Sequence, residues 1–384
     1  MTEIEDFDPA QGVSMILPRL PPAPDGIGDF ARQLCRYLFS EDMLRHRQCS
    51  FFVMDGAELT SQLWPDLLIS EIGSEPKSLS ERLIAANPAL VILHYVGYGY
   101  AHDGSPNWLS RALTLWRKAR PQARLLVMFH ETWATGYPWQ RVFWHTGKQR
   151  SCVSQLLDLA DIVVTSTFAN ARDLHSLNKN KAVNVIGVGS NFENDLSDDR
   201  ALQLGTPRKW QDMLIFGREQ PRLAAINKHK QLIIALAKRQ LIKRFVCAGE
   251  SSNSKNDKSA LLLRQLTNSD VIGFYNFSPD HIPNEMRSCG SALMYTQSTN
   301  LLKSTAFHFA ASQGQVAVTL KEDEASSHLV GGKHYLWYQK NNHESILSTF
   351  ENTNQLSAIS SAAADVHSRF YSWPQIARQW RSLI

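Results

Sequence analysis

His130 and Glu131 stand side by side directly after Leu125 to Phe129, an apolar run with the length of a buried strand. Imidazole titrates near neutral pH and can serve as an acid, a base or a hydrogen-bond donor, and a neighbouring carboxylate can orient a partner or a sugar hydroxyl. Open α/β sheets bind ligands beyond the carboxyl ends of their strands. We therefore predict that His130 and Glu131 are catalytic; a structural pair that ties the strand to the next loop is the alternative.

A second candidate region begins at His94, which ends another apolar run and leads into Tyr95-Val96-Gly97-Tyr98-Gly99-Tyr100. Glycines let the backbone approach a ligand, and phenol rings can stack on the apolar face of a sugar. We predict sugar or acceptor contacts from His94, Tyr95 and Tyr98, with a loop packed by its own tyrosines as the alternative. The segment from Trp133 to Trp144 is also rich in aromatic residues, and we expect most of it to be core, with an acceptor-facing or membrane-facing surface as the alternative.

Gly26, Gly28 and Asp29 lie between a predicted strand, Val13 to Leu17, and a predicted helix, Ala31 to Phe39. A glycine-rich turn that opens a helix favours negative charge and close approach of a ligand, which predicts a nucleotide or a phosphorylated ligand. The third glycine of the dinucleotide fingerprint is absent, so a tight connection without a ligand is the alternative.

Basic and hydroxyl residues of the second half predict a diphosphate site. Arg218 follows a predicted strand, and Lys228 and Lys230 come about ten residues later, so that a guanidinium fork and an ammonium group could grip a diphosphate from two sides. Lys303, Ser304 and Thr305 precede an apolar helical segment whose first amides could receive phosphate. Solvated surface charge and simple helix capping are the alternatives.

Composition narrows the class of protein. The length of 384 residues exceeds what one hydrophobic core usually holds and predicts two domains. A net charge of +4 suits an anionic small ligand or a membrane surface and is too small for nucleic-acid binding. The 5 cysteines show no paired spacing, which predicts a reducing cytoplasm with neither zinc nor disulfides. The acidic first residues and the absence of a long apolar run predict neither a signal peptide nor a spanning helix.

Short apolar runs alternate with amphipathic segments along the whole chain, which predicts an α/β fold with parallel sheets. The predicted strands are Val13–Leu17, Ser50–Met54, Leu90–His94, Leu125–Phe129, Asp161–Thr165, Val183–Val188, Met213–Phe216, Phe245–Ala248, Val271–Gly273, Ser291–Met294 and Val316–Thr319. Predicted helices between them include Trp108–Arg117, Ile226–Arg239 and Ser304–Ser312. The polar segment Glu193–Gln211 is predicted to be a linker, so that residues 1–200 and 201–366 form two Rossmann-like domains.

Four segments resemble motifs of the GT-B glycosyltransferases, in particular the retaining, family 4-like group that includes sucrose, mannosyl and exopolysaccharide transferases. They are Gly26-Ile27-Gly28-Asp29; Gly217-Arg218 with Lys228 or Lys230; Val271-Ile272-Gly273-Phe274 with Ser278-Pro279-Asp280 and Ser291-Ala292-Leu293-Met294; and Tyr371-Ser372-Trp373-Pro374-Gln375-Ile376-Ala377. The resemblance implies that the first lies beside the phosphates of a sugar nucleotide and that the second binds its diphosphate. The third would flank the nucleotide base, and the fourth would begin a helix that returns, within residues 367–384, to the N-terminal domain.

One departure from the family concerns two glutamates that lie eight positions apart before a glycine turn. Alignment on Gly314 puts Leu301 and Phe309 at their places, so the carboxylates that contact the donor sugar and the ribose are missing. Lys303 lies two residues from Leu301 and could contact phosphate, but an ammonium group cannot accept hydrogen bonds from sugar hydroxyls.

These features predict a cytoplasmic glycosyltransferase that uses a nucleoside-diphosphate sugar and a glycan, lipid-linked or small-molecule acceptor, in a cleft between two Rossmann-like domains. The resemblance implies retention of configuration. Because Arg218 with Lys228 or Lys230 could stabilise the leaving diphosphate, we expect no metal and no cofactor. A binding or scaffold protein that has lost turnover and a sugar-nucleotide epimerase or hydrolase are the alternatives. Peripheral contact with the inner face of a membrane is predicted around Trp108, Trp116 and the basic run Arg117-Lys118-Ala119-Arg120.

Overall fold

The structure is a computed structural model, and it describes residues 12–21, 26–39, 49–63, 67–137, 139, 141–192, 208–277, 282–296, 298–320 and 328–384. The chain forms two compact units, Met1–Gly187 with Ile376–Ile384, and Val188–Gln375. The predicted boundary at residue 200 and most of the predicted linker lie outside the described residues. Residues 367–375, which we assigned to the returning helix, belong to the second unit.

The first unit is built on a parallel sheet. Its strands are β1 (Val13–Leu17), β2 (Cys49–Val53), β3 (Leu68–Glu71), β4 (Leu90–Tyr95), β5 (Arg124–Phe129), β6 (Ile162–Thr165) and β7 (Asn184–Val185). They are hydrogen bonded in the order β3-β2-β1-β4-β5-β6-β7. The described helices of this unit are α1 (Gly26–Leu38), α2 (Ala57–Leu63), α3 (Pro76–Ala86), the single turn α4 (Gly97–Tyr100), α5 (Asn107–Ala119), α6 (Arg141–Leu159) and α7 (Phe168–Leu177).

The second unit has a sheet of the same kind. Its strands are β8 (Lys209–Phe216), β9 (Arg244–Gly249), β10 (Asp270–Tyr275), β11 (Cys289–Leu293), β12 (Val316–Thr319) and β13 (Leu336–Trp337), in the order β10-β9-β8-β11-β12-β13. The helices are α8 (Glu219–Lys228), α9 (Lys230–Lys238), α10 (Lys258–Leu266), α11 (Asn284–Ser288), α12 (Thr305–Ser312), α13 (His343–Glu351), α14 (Thr353–Val366) and α15 (Trp373–Arg381), whose last residues belong to the first unit.

Strand order explains where each site must lie. It reverses direction between β1 and β4 in the first sheet and between β8 and β11 in the second. Parallel strands in such sheets are covered by helices on both faces, which is why β1 and β4 are mostly apolar and are buried throughout. Ligands of doubly wound sheets bind at the carboxyl ends of the strands beside the reversal point.

Every predicted strand is present, β1 and β12 with the predicted bounds and the others with shifted ends, and the prediction of an α/β fold is confirmed. Among the strands that the structure describes, two were missed: β3, an edge strand with two exposed residues, and β13, which has only two residues. The helix predicted from Ala31 begins at Gly26, so both glycines lie in its first turn and not in a loop. The helix predicted from Ile226 to Arg239 is two helices, because His229 departs from helical geometry with ψ 14°.

Among the helices that the structure describes, none combines the length and the hydrophobicity that crossing a lipid bilayer requires.

Candidate functional site

The first sheet brings together two histidines that end separate strands. The Nδ1 atom of His94 in β4 lies 3.1 Å from the Nε2 atom of His130, which follows β5. These strands are parallel neighbours, and the backbone N–H of His130 donates to the carbonyl of Tyr95 at 3.0 Å. The pairing of β4 with β5 therefore fixes both imidazoles at the carboxyl edge of the sheet.

Aromatic side chains surround this pair. The Phe30 ring of α1 meets both imidazoles edge-on, with centroid distances of 5.9 Å to His94 and 5.4 Å to His130. The Trp380 ring stacks on His94 with 6.5 Å between centroids. His94 is completely buried, and this burial lowers its pKa to about 3, so its ring is neutral near neutral pH.

The surroundings of His94 also favour one tautomer. Its Nε2 atom is buried and has no hydrogen-bond partner among the described residues. Buried N–H groups without an acceptor are rarer than buried acceptors without a donor. We therefore assign the proton to Nδ1 of His94, which donates to Nε2 of His130. A neutral His130 then carries its own proton on Nδ1.

The other residues predicted for this edge lie in different surroundings. Glu131 is exposed. Tyr95 is completely buried in the hydrophobic core, with its ring 5.4 Å from that of Phe129, which leaves it no open surface for the predicted sugar contact. Tyr98 is 47% exposed, and its hydroxyl accepts a hydrogen bond from Nε2 of Gln149 at 3.1 Å. The segment from Tyr95 to Tyr100 is thus partly packed on itself. Of the two tyrosines that we predicted to contact a sugar or an acceptor, Tyr98 is exposed and Tyr95 is buried.

Gly28 is required by packing. A Cβ atom there would lie 2.5 Å from the carbonyl oxygen of Arg19, so α1 approaches the chain after β1 too closely for any side chain. At Gly26 a Cβ atom would meet nothing within 4 Å. Neither glycine has a positive φ, and Asp29 lies in the first turn of α1. The pattern that predicted a phosphate loop therefore has a structural explanation at Gly28, and the phosphate role of this segment stays a prediction.

At the carboxyl edge of the second sheet, two strands end in glycines with unusual backbone angles. Gly217 after β8 has φ +135°, and Gly249 at the end of β9 has φ +120°. Arg218 is the N-cap residue of α8. Its guanidinium lies 3.5 Å from the carboxylate of Glu250, and both side chains are more than half exposed. The structure therefore places Arg218 and Glu250 together where a ligand of this sheet is expected.

Arg222, which the sequence analysis missed, is the buried support of this edge. Its guanidinium donates to the carbonyls of Gly217 and of Glu250, the latter at 3.0 Å, and to the carboxylate of Asp257 at 2.5 Å. Both members of the ion pair are buried. The sequence offered no signal for it beyond one more arginine in a helical segment.

Lys228 and Lys230 flank His229 at the far end of α8. His229 is buried, and its Nε2 atom lies 3.3 Å from the carbonyl oxygen of Thr319, the last residue of β12. Both lysines are exposed. They therefore lie at the same edge of the sheet as Arg218, but the length of α8, about 15 Å at the standard helical rise, separates Lys228 from it.

Ser304 caps α12, the helix that follows β11. Its hydroxyl accepts a hydrogen bond from the backbone N–H of Phe307 at 3.2 Å and lies 3.2 Å from the hydroxyl of Thr296. Thr305 is the first residue of the helix, and Lys303 ends the preceding short helix; both are partly exposed. Ser304 therefore caps the helix, which was the alternative to a phosphate site. The predicted phosphate contacts of Lys303, Ser304 and Thr305 stay predictions.

The positions of the missing glutamates are part of the core. Leu301 and Phe309 are buried, and the Phe309 ring lies 5.5 Å from that of Phe216. Gly273 and Phe274 lie in β10, exposed and half-buried respectively. The segment Ser278-Pro279-Asp280, which we predicted beside the nucleotide base, lies outside the described residues.

The predicted membrane-contact residues need correction. Trp116 is fully buried in the hydrophobic core, and Arg117 donates to the carboxylate of Asp161 at 2.5 Å, so this helix end is not an aromatic surface. The segment after β5, which we expected to be core, instead exposes much of its aromatic surface, with Trp139 78% exposed and Trp144 72% exposed.

Two units of this kind, each on a parallel sheet whose strand order reverses at its centre, define the GT-B class of fold. No protein-family model matches the sequence, and no curated protein is similar to it in sequence. A glycosyltransferase from Rickettsia africae is similar over 97% of this chain and 97% of its own, with a TM-score of 0.64 and 14% identity. HepE from Anabaena, solved in complex with UDP, matches over 97% of this chain and 98% of its own (TM-score 0.62, 14% identity).

The same fold is found in a protein of another activity. A putative UDP-N-acetylglucosamine 2-epimerase from Listeria monocytogenes matches over 96% of this chain and 94% of its own, with a TM-score of 0.58 and 13% identity. At such identities, similarity establishes the fold, and the activity must be argued from the residues of this chain.

Proposed function

We propose that this protein is a glycosyltransferase that moves a sugar from a nucleoside-diphosphate donor to a glycan, lipid-linked or small-molecule acceptor. The observation that carries the proposal is Arg218, a half-exposed cation at the end of β8, beside the reversal point of the sheet. Its ion pair with Glu250 is long and solvated, so a diphosphate can replace the carboxylate through a bidentate fork. The structural neighbour HepE has been solved with UDP and with UDP-glucose.

In this proposal, Arg218 stabilises the negative charge that develops on the leaving diphosphate, which is the main electrostatic demand of the reaction. Lys228 or Lys230 and the first amides of α12 after Ser304 supply further positive potential at the same sheet edge. Arg222 acts through the backbone, because it holds the carbonyls on both sides of the Arg218–Glu250 pair.

The first unit offers His130 for the sugar or the acceptor. His94 fixes the orientation of the His130 imidazole at the carboxyl edge of the sheet, and Glu131 is an exposed carboxylate next to it that can orient an acceptor hydroxyl.

The test is donor turnover by the purified full chain, measured with a panel of UDP-, GDP-, ADP- and TDP-sugars in the presence and absence of glycan and polyprenyl-phosphate acceptors. A glycosyltransferase releases the nucleoside diphosphate much faster when its acceptor is present, whereas a hydrolase or epimerase consumes the donor equally well without one. Arg218→Ala should lower that rate about 100-fold. Arg239→Ala, which removes an exposed arginine paired with Glu344 and Glu351, is the matched control and should leave it unchanged.

A sugar-nucleotide epimerase or hydrolase is the second candidate. The buried Leu301 and Phe309 at the places of the family's glutamates favour a binding or scaffold protein without turnover, whereas the epimerase among the structural neighbours favours an epimerase or hydrolase. Such an enzyme changes the donor without any acceptor. Nucleotide binding without any turnover would instead identify a binding or scaffold protein.

A further inference from the structure

An aromatic cluster on the first unit has no role in the proposed chemistry. It consists of Tyr137, Trp139, Phe143 and Trp144, which are 63%, 78%, 42% and 72% exposed. The rings of Tyr137 and Trp139 stack with their centroids 4.8 Å apart, and those of Phe143 and Trp144 meet at right angles. The two pairs lie in one short stretch of the sequence, and soluble proteins rarely expose so much apolar side chain in one place unless it binds something.

The stretch of sequence that contains the aromatic cluster carries charge of one sign. From Trp133 to Leu157 the sequence contains no Asp or Glu, whereas it contains Arg141, Lys148 and Arg150. Lys148 and Arg150 are exposed on α6, and the Arg150 guanidinium lies 4.8 Å from the ring of Trp133. The segment therefore presents apolar rings and cations together, which is complementary to a surface with an apolar interior and an anionic rim.

The exposure of these rings favours a bilayer over a carbohydrate. A sugar-binding site is concave and leaves ring faces available, but Tyr137 and Trp139 cover one face of each other, and the two tryptophans are about three-quarters exposed. Trp and Tyr concentrate at membrane–water interfaces, where the ring is partly apolar and its polar atom stays hydrated. Nearby Lys and Arg side chains are attracted to anionic headgroups.

We propose that the aromatic cluster docks the protein on the interface of an anionic lipid bilayer, with Trp139 and Trp144 entering the headgroup region and Lys148 and Arg150 facing lipid phosphates. The proposal does not depend on the proposed function. It moves the predicted membrane contact from Trp116, which is buried, to a segment that we expected to be core.

The test is co-sedimentation of the full chain with two kinds of vesicle at low salt. One kind is phosphatidylcholine alone, and in the other about one third of the lipid is phosphatidylglycerol. The variants are the double substitution Trp139→Ser with Trp144→Ser, and the double charge reversal Lys148→Glu with Arg150→Glu. Leu115→Ser, which removes a 45% exposed apolar side chain from α5, is the matched control. Thermal midpoints verify that each variant is folded.

The proposal predicts binding to the anionic vesicles that falls about tenfold or more in each double variant and is unchanged in Leu115→Ser. Absence of binding to anionic vesicles, or equal binding by the tryptophan variant, would overturn it. A concentration-dependent dimer, or binding to a soluble glycan, that disappears in the tryptophan variant while vesicle binding persists would also overturn it, because the aromatic cluster would then serve another partner.

Discussion

The buried Nδ1–H of His94 donates to Nε2 of His130 across 3.1 Å, so a ring without access to solvent sets the tautomer of a ring at the carboxyl edge of the sheet. His94 is thus a positioning residue in our account, and His130 is the group that meets the substrate.

This relationship predicts different outcomes for two substitutions of His94. His94→Leu removes the donor, so the proposed transfer should lose about tenfold or more in kcat with a smaller change in KM. His94→Gln keeps an N–H donor and should retain most of the rate. Equal kcat values for the wild type and His94→Leu, or equal losses in His94→Leu and His94→Gln, would contradict the positioning role.

The buried His94 also predicts how stability depends on pH. Burial lowers the pKa of His94 to about 3, whereas an unfolded histidine titrates near 6.5, so the unfolded state binds more protons below that value. The free energy of unfolding should therefore fall as the pH drops below about 6.5, with this residue contributing up to about 1.4 kcal/mol per pH unit.

Urea midpoints at a series of pH values measure this contribution. In His94→Gln the free energy of unfolding should change less steeply between about pH 6.5 and pH 5, by up to about 1.4 kcal/mol per pH unit. An identical pH dependence in the two proteins would show that His94 is not buried in its neutral form.

Gly28 and Gly26 form a matched pair for testing the packing of α1. Gly28→Ala would place a Cβ atom 2.5 Å from the Arg19 carbonyl oxygen, so it should destabilise the fold by roughly 1–3 kcal/mol. Gly26→Ala meets nothing within 4 Å and should be neutral or stabilising by about 0.5 kcal/mol. Chemical denaturation measures the free energy of unfolding of both variants. An equal loss of stability in the two would exclude close packing as the reason for Gly28.

Arg222 predicts a large stability effect from a completely buried arginine. Arg222→Met leaves Asp257 as a buried carboxylate without its cation, which should cost about 3–5 kcal/mol. The carbonyls of Gly217 and Glu250 lose their donor as well, so any nucleotide affinity should weaken. Arg239→Ala, at an exposed ion pair, should leave the denaturation midpoint unchanged. A midpoint for Arg222→Met within error of the wild type would contradict this account.

The sequence allowed the fold to be predicted because buried parallel strands such as β1 and β4 are short, mostly apolar runs, a signal that does not depend on distant contacts. It could not reveal Arg222, whose role depends on β8, β9 and α10 meeting in space. Gly28 was visible as a glycine, but the reason for it is the carbonyl of Arg19 and not a ligand. Aromatic residues such as Trp139 and Trp116 look alike in sequence, and only the packing of their neighbours leaves one exposed and the other buried.

The central claim is that the carboxyl edge of the second sheet binds a nucleoside diphosphate through Arg218. Isothermal titration calorimetry of the full chain with UDP, GDP, ADP, CDP and TDP tests it most directly, with Arg218→Ala and the control Arg239→Ala titrated beside the wild type. Our account predicts that at least one of these nucleotides binds and that Arg218→Ala weakens it by about tenfold or more, while Arg239→Ala binds as the wild type does. Failure of all five to bind, or unchanged affinity in Arg218→Ala, would contradict it.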